Sequence, residues 1–236
     1  MNNSDTEISI DDLSDYWIRG PVAVVHCGAH LAEELEEYEG VGWRQIIWIE
    51  ANPKLIPPLT KRLLGHDLSK VVSATLWSTS GKALSLQVAN NSYSSSILDF
   101  GTHAETYPDI TFESEIEVQT QTLDSILAGF EEIKGGFLVL DLQGVEFEAL
   151  QGATDSLSKF DYIYTEVSES NLYQNQGNWN TITKFLADHN FKLVDWQYST
   201  DLNWGNALYQ RRPRIIQSHL RRSQRIKGHR KRLQAN

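Results

Sequence analysis

The sequence predicts an α/β fold with a mainly parallel central sheet, helices on both faces, and an inserted β-hairpin and loop region. Three observations predict it. Short apolar runs at Pro21–Val25, Gln45–Ile49 and Gly136–Leu140 read as buried strands. Segments of helical spacing separate the strands, so neighbouring strands need crossover connections and run parallel. One central stretch breaks this alternation with two half-exposed strands and a long polar loop.

The elements follow in order. Pro21–Val25 runs into Cys27-Gly28, a strand closed by a glycine turn. Leu31–Tyr38 reads as helix, its early Glu33, Glu34, Glu36 and Glu37 suiting the positive end of the dipole, and Gly40 and Gly42 stop it. Gln45–Ile49 is a second strand, closed by Glu50. Asn52 and Pro53 open a helix that passes Pro57-Pro58 and ends at Gly65. Val71–Leu76 is a third strand. Ala83–Val88 and Glu115–Thr120 alternate as half-exposed strands around Asn90–Phe112, a loop rich in Ser, Asn and Gly. Then come a helix over Thr122–Phe130, a buried strand at Gly136–Leu140, a helix over Val145–Gln151, a strand at Tyr162–Val167, and an amphipathic helix over Trp179–His189. Phe191–Trp196 and Asn206–Gln210 read as closing strands.

At 236 residues the chain is within reach of one large domain. Residues 1–20 read as an N-terminal extension, 21–212 as the folded domain and 213–236 as a basic tail. The single cysteine, Cys27, cannot form an internal disulfide, and the polar, acidic start lacks the pattern of a signal peptide. No apolar run approaches the ~20 residues of a membrane span, so a cytoplasmic location is expected. The net charge of −10 is uneven. Arg211–Asn236 holds 10 of the 21 Lys and Arg and no Asp or Glu, which leaves 11 basic against 31 acidic residues before it. Such a tail can lie on an anionic membrane or polyanion, fold back on the acidic body, or stay solvated. It contains no aromatic residue to stack on single-stranded bases.

Three motifs carry chemistry. In Val24–Ala32, Gly28 lets the backbone turn sharply, and the following helix aims free amides at a ligand. Glu50 ends the second strand 22 residues later, where a carboxylate can accept hydrogen bonds from ribose hydroxyls. A dinucleotide fingerprint needs two more glycines, but His30 and Glu33 stand there, so a cofactor without a pyrophosphate is favoured. Asp141 closes a central strand at the sheet edge where open parallel sheets bind ligands, followed by the Gly144 turn and Glu146.

Together these segments resemble the FkbM family of methyltransferases. The resemblance rests on His26-Cys-Gly28-Ala-His30-Leu-Ala32, Glu50-Ala-Asn-Pro53, Ser95-Ser-Ile97, Thr122-Leu-Asp124, and Asp141-Leu-Gln-Gly144-Val-Glu146 continuing to Leu150-Gln-Gly152-Ala153, and covers roughly Pro21 to Arg211. Four positions depart from the family pattern. His26 stands for Asp, His30 for Asn, Ala32 for Gly and Gln143 for Glu.

The resemblance implies a Rossmann-like class I methyltransferase using S-adenosyl-L-methionine, with O-methylation of a sugar, glycan intermediate or small natural product. It implies cofactor contacts from His26, Gly28, Ala29, His30, Glu50, Ala51, Thr75, Leu76 and Asp141, and substrate contacts from Ser95, Ser96, Gln143 and Glu166. With Gln143 in place of a carboxylate, acid–base duty falls to Asp141, Glu146 or His103. No metal ligands are assigned. Two other classes stay open: a non-catalytic adaptor that binds a membrane or polyanion through the tail, and a nucleotide-dependent oxidoreductase.

Overall fold

Val24–Cys27 (β1) is buried at every position and carries no acidic or lysine side chain, which suits the middle of a sheet covered on both faces. The computed structural model describes residues 23–43, 45–130 and 133–213, together with Thr6, Ile8, Ser9 and Leu13. The basic tail beyond Pro213 and most of the N-terminal extension lie outside the described residues, and so does the tail's expected contact with a membrane or polyanion.

Ile46–Glu50 (β2) and Ser69–Ser73 (β3) pair in parallel on one side of β1, and Gly136–Leu140 (β7) and Phe160–Ser168 (β8) extend the sheet on the other. Trp204–Arg211 (β10) then joins antiparallel to β8, and Phe191–Ser199 (β9) pairs antiparallel with β10 at the edge. The order is β3-β2-β1-β7-β8-β10-β9.

Side chains alternate across the sheet and make two cores. Val25, Cys27, Ile47, Ile49, Leu138 and Leu140 meet Leu123–Leu127 (α4), Glu146–Gln151 (α5) and Trp179–Asp188 (α6) on one face. Val24, Ile46, Trp48, Phe137 and Val139 meet Leu35–Gly40 (α1), Ile56–Arg62 (α2) and the buried Leu13 on the other. The amphipathic α6 starts where the Asn178 side chain accepts the Thr181 amide at 2.9 Å.

Two expectations need correction. Val71–Leu76 is not one strand. The Ala74 amide still bonds the Glu50 carbonyl at 2.9 Å, but β2 ends there and offers no further ladder. Thr75–Leu76 (β4) leaves the sheet and pairs in parallel with Phe112–Gln121 (β6), which also forms the expected hairpin with Ala83–Ala89 (β5). The first helix begins at Leu35, four residues later than its acidic pattern implies. His30 and Ala32 stand at φ +43° and +58°, left-handed backbone that cannot continue a helix. The Asn90–Phe112 loop holds a 3-10 turn at Ser92–Ser94 and one short helix, His103–Thr106 (α3). Among the described residues no helix is long and apolar enough to cross a membrane.

Candidate active site

The carboxyl ends of the parallel strands open onto a cleft of about 730 Å³. Register fixes what stands along its floor. One residue beyond the pairs Cys27–Leu140 and Leu140–Thr165 come Gly28, Asp141 and Glu166, and Glu166 faces Asn206 across β8 and β10. Glu50 ends β2 on the other side of β1. Three carboxylates therefore lie in one row across the strand ends.

Gly28 is required at its place. Its φ is +89°, and a Cβ there would fall 1.8 Å from the Asp141 carbonyl oxygen. The Gly28 and Ala29 amides both bond the Ile49 carbonyl, at 2.9 and 3.0 Å, so this turn is held by backbone alone.

Glu50 is buried and lines the cleft. Its Oε2 accepts the His30 amide at 2.8 Å and its Oε1 the Asn52 amide at 2.7 Å. Burial raises its pKa while these hydrogen bonds oppose the shift. Ile49, Ala51, Ala74, Thr75, Leu76 and Leu86 line the cleft beside it, an apolar slot next to a fixed carboxylate.

The central acids differ in what they touch. Asp141 Oδ1 accepts Gln143 Nε2 at 2.6 Å, and Gln143 Oε1 in turn accepts the Tyr173 hydroxyl at 2.6 Å. Gln143 sits at φ +53° and lines the cleft as a bridge between the two. Enclosure by protein raises the Asp141 pKa, with the Gln143 hydrogen bond working against it. Glu146 is buried and absent from the cleft lining. Its Oε1 accepts the Leu142 amide at 2.7 Å and the Gly144 amide at 3.2 Å. It fastens the turn beneath Asp141, and burial pushes its pKa up to about 7. Glu166 lines the cleft, and its carboxylate takes no hydrogen bond from the described residues. Desolvation first, then Glu146 and Asp141, hold it well above the usual carboxylate range. Among the described residues no group of three or more His, Cys, Asp or Glu is arranged to hold a metal ion.

The remaining expected residues divide. Ser96 Oγ donates to the Gln143 carbonyl at 2.7 Å and Ser95 Oγ accepts the Ala89 amide at 3.2 Å, so both hydroxyls fasten the insertion while their residues line the cleft. His30 lines the cleft mouth. Its ring nitrogens meet Glu33 Oε1 at 2.7 Å and Ser92 Oγ at 2.8 Å, and Tyr93 packs on its ring at 4.1 Å. His103 lines the opposite wall, stacked on Phe100 at 4.3 Å, and burial lowers its pKa. Ala29 and His26 do not line the cleft. His26 is buried one layer below Asp141, stacked on Trp48 at 5.1 Å with Nδ1 2.9 Å from the Tyr38 hydroxyl, and burial pushes its pKa down to about 4. Burial also holds the Cys27 thiol well above its ordinary value, so it is unreactive.

Several lining residues have no motif in the sequence. Tyr107, Tyr173, Trp204 and Asn206 come together from α3, the segment after β8, and β10. Their one sequence signal is aromatic side chains in polar loops.

This donor set fits S-adenosylmethionine. Glu50 suits a ribose diol, the adjoining apolar slot suits a purine, and the acids beyond Gly28 suit a cation. The sequence matches the methyltransferase FkbM domain over residues 26–193. Over 94 residues it is 35% identical to 2-O-methyltransferase NoeI of Sinorhizobium fredii (strain NBRC 101917 / NGR234), covering 39% of this chain and 37% of that protein. The chain thus matches little more than a third of that relative's length. The fold is similar to that of methyltransferase FkbM from Methylobacillus flagellatus KT, with TM-score 0.54 and 15% identity over 88% of this chain and 49% of the other. A TehB-like SAM-dependent methyltransferase from Corynebacterium glutamicum ATCC 13032 Kitasato gives TM-score 0.48 at 7% identity, over 86% of each chain. The matched span carries Gly28, Glu50, Asp141 and Glu166, and the chain belongs to the FkbM family of methyltransferases, with the Rossmann-like fold and S-adenosylmethionine as cofactor.

Proposed function

We propose that this protein transfers a methyl group from S-adenosylmethionine to a hydroxyl of a sugar, glycan intermediate or small natural product. The observation that carries this is one continuous cleft with Glu50 and an apolar slot at one end and the acids Asp141 and Glu166 farther along. The printed activity of the Sinorhizobium relative, 2-O-methyl transfer, supports the choice of oxygen as acceptor.

The cofactor supplies an electrophilic methyl on a good leaving group. The protein's part is therefore alignment and proton removal. Glu50, pinned by the His30 and Asn52 amides, keeps oxygen lone pairs for a ribose diol. Asp141, braced by Gln143, presents negative charge where the sulfonium and amino groups would lie. The turn that carries Asp141 is held from beneath by Glu146.

Calorimetric titration with S-adenosylhomocysteine tests the cofactor half. The wild type binds, and Glu50→Ala weakens binding at least tenfold. No binding by the wild type, or unchanged binding by the variant, overturns the proposal.

A further inference from the structure

The cleft is longer than its cofactor end requires. From β2 to β10 there are four strand spacings, about 19 Å at roughly 4.8 Å each. In S-adenosylmethionine the sulfur is one methylene from the ribose ring. A ribose held at Glu50 therefore brings the methyl over β1 and β7, near Asp141. The end over β8 and β10 is left for the acceptor.

The residues at that end have two characters. Tyr107 and Trp204 form a wall, joined by a hydrogen bond from the indole Nε1 to the Tyr107 hydroxyl at 3.2 Å. His103 adds a third ring, itself buried, with Nδ1 unpartnered among the described residues. Opposite them stand Glu166 and Asn206, paired in register, with Asn206 fixed by its Nδ2 donating to the Thr6 carbonyl at 3.0 Å. No Lys or Arg occurs among the described residues that line the cleft, so nothing there recognises a phosphate or carboxylate. An aromatic wall facing hydrogen-bonding edges matches a neutral ring with an apolar face and a rim of hydroxyls.

Glu166 differs from its neighbours in being uncommitted. Asp141 is bonded to Gln143, Glu146 to two backbone amides, and the Ser95 and Ser96 hydroxyls to the backbone. Glu166 alone of the three acids at the centre has no hydrogen bond from the described residues, and it stands one strand beyond Asp141 on the acceptor side.

We propose that the cleft over β8 and β10, walled by Tyr107 and Trp204, is the acceptor subsite for a neutral pyranose, and that Glu166 takes the proton of the attacking hydroxyl. This rests on the methyl-transfer function above. In the step, the hydroxyl oxygen bonds the methyl carbon as the carbon–sulfur bond breaks. The bond's electron pair stays on sulfur, giving a neutral thioether, and the hydroxyl proton passes to the Glu166 carboxylate and from there to solvent.

The test uses the full chain saturated with S-adenosylhomocysteine, and a panel of methyl hexopyranosides and disaccharides with catechol as the phenolic control. Saturation-transfer NMR reads binding without turnover. At least one pyranoside shows transfer to its ring protons, and Trp204→Ala weakens that binding fivefold or more. Glu166→Gln keeps pyranoside and S-adenosylhomocysteine affinity within threefold. With labelled S-adenosylmethionine, Glu166→Gln lowers kcat tenfold or more, and Glu166→Asp restores part of it. The proposal is overturned if catechol binds and no pyranoside does, if Trp204→Ala leaves pyranoside binding unchanged, or if Glu166→Gln keeps kcat within tenfold. A wild type that binds S-adenosylhomocysteine and gives any of these results removes only this assignment. A wild type that does not bind it removes the methyl-transfer function as well.

Discussion

The carbonyl oxygen of Asp141 occupies the space a side chain at Gly28 would need, 1.8 Å from where a Cβ would fall. The contact joins the ends of two adjacent parallel strands, where the Asp141 amide also bonds the Cys27 carbonyl at 3.0 Å. Gly28→Ala must then separate β1 from β7 or distort the turn, and its φ of +89° adds strain of its own. The expected cost is about 3 kcal/mol or more of unfolding free energy, read by urea denaturation. A loss below 1 kcal/mol would show that the turn yields easily.

His26 predicts a pH dependence of stability. Unfolded, its ring binds a proton near the ordinary pKa of 6.5; folded, burial delays this to about 4. The folded state thus resists protonation in that window. The stability it contributes is present above pH 6.5 and is lost as pH falls toward 4, by up to about 3 kcal/mol. Urea unfolding of the wild type should weaken more steeply over this range than that of His26→Phe. Parallel pH profiles would contradict the assignment.

Ser96 ties the insertion to the central turn. Its hydroxyl donates to the Gln143 carbonyl and its oxygen accepts the Leu98 amide at 3.0 Å, both in a buried setting. Ser96→Ala leaves these groups unpaired, an expected loss of about 1–2 kcal/mol. Hydrogen exchange should rise together at Leu98 and at the Gln143–Gly144 turn. Faster exchange at Leu98 alone would mean that the two segments are independent.

Tyr93 and Ser92 close the cofactor end of the cleft against His30 and Glu33. The Tyr93 hydroxyl donates to Glu33 Oε1 at 3.3 Å while its ring covers His30. Tyr93 is 58% exposed, so removing it costs the core little. Tyr93→Ala should speed dissociation of S-adenosylhomocysteine about tenfold in stopped flow, an effect of about 1.4 kcal/mol. An unchanged rate would place the exit path elsewhere.

The sequence makes the cofactor end of the site legible because strand, turn and strand-end carboxylate are local features. Gly28, Glu50 and Asp141 each follow an apolar run, and parallel pairing brings such positions to one edge. The break at Ala74 is not legible. No glycine or proline marks it, since it arises where β2 runs out of ladder. The late start of α1 is hidden for a similar reason. Acidic spacing shows a helix but not the left-handed backbone at His30 and Ala32, which lets the His30 amide reach Glu50. Tyr107 and Trp204 meet across 97 positions of chain, and nothing in either neighbourhood announces the other.

The row of Glu50, Asp141 and Glu166 also acts on molecules that never react. Nucleotides with phosphate chains share the ribose and base that Glu50 and its apolar slot accept. Their charge would then fall beside Asp141, in a cleft whose described lining has no Lys or Arg to offset it. Repulsion in a partly desolvated space grows with each added negative charge. The same acids that draw a sulfonium inward therefore keep abundant competitors out, so occupancy by the methyl donor is set by exclusion of rivals as well as by its own affinity.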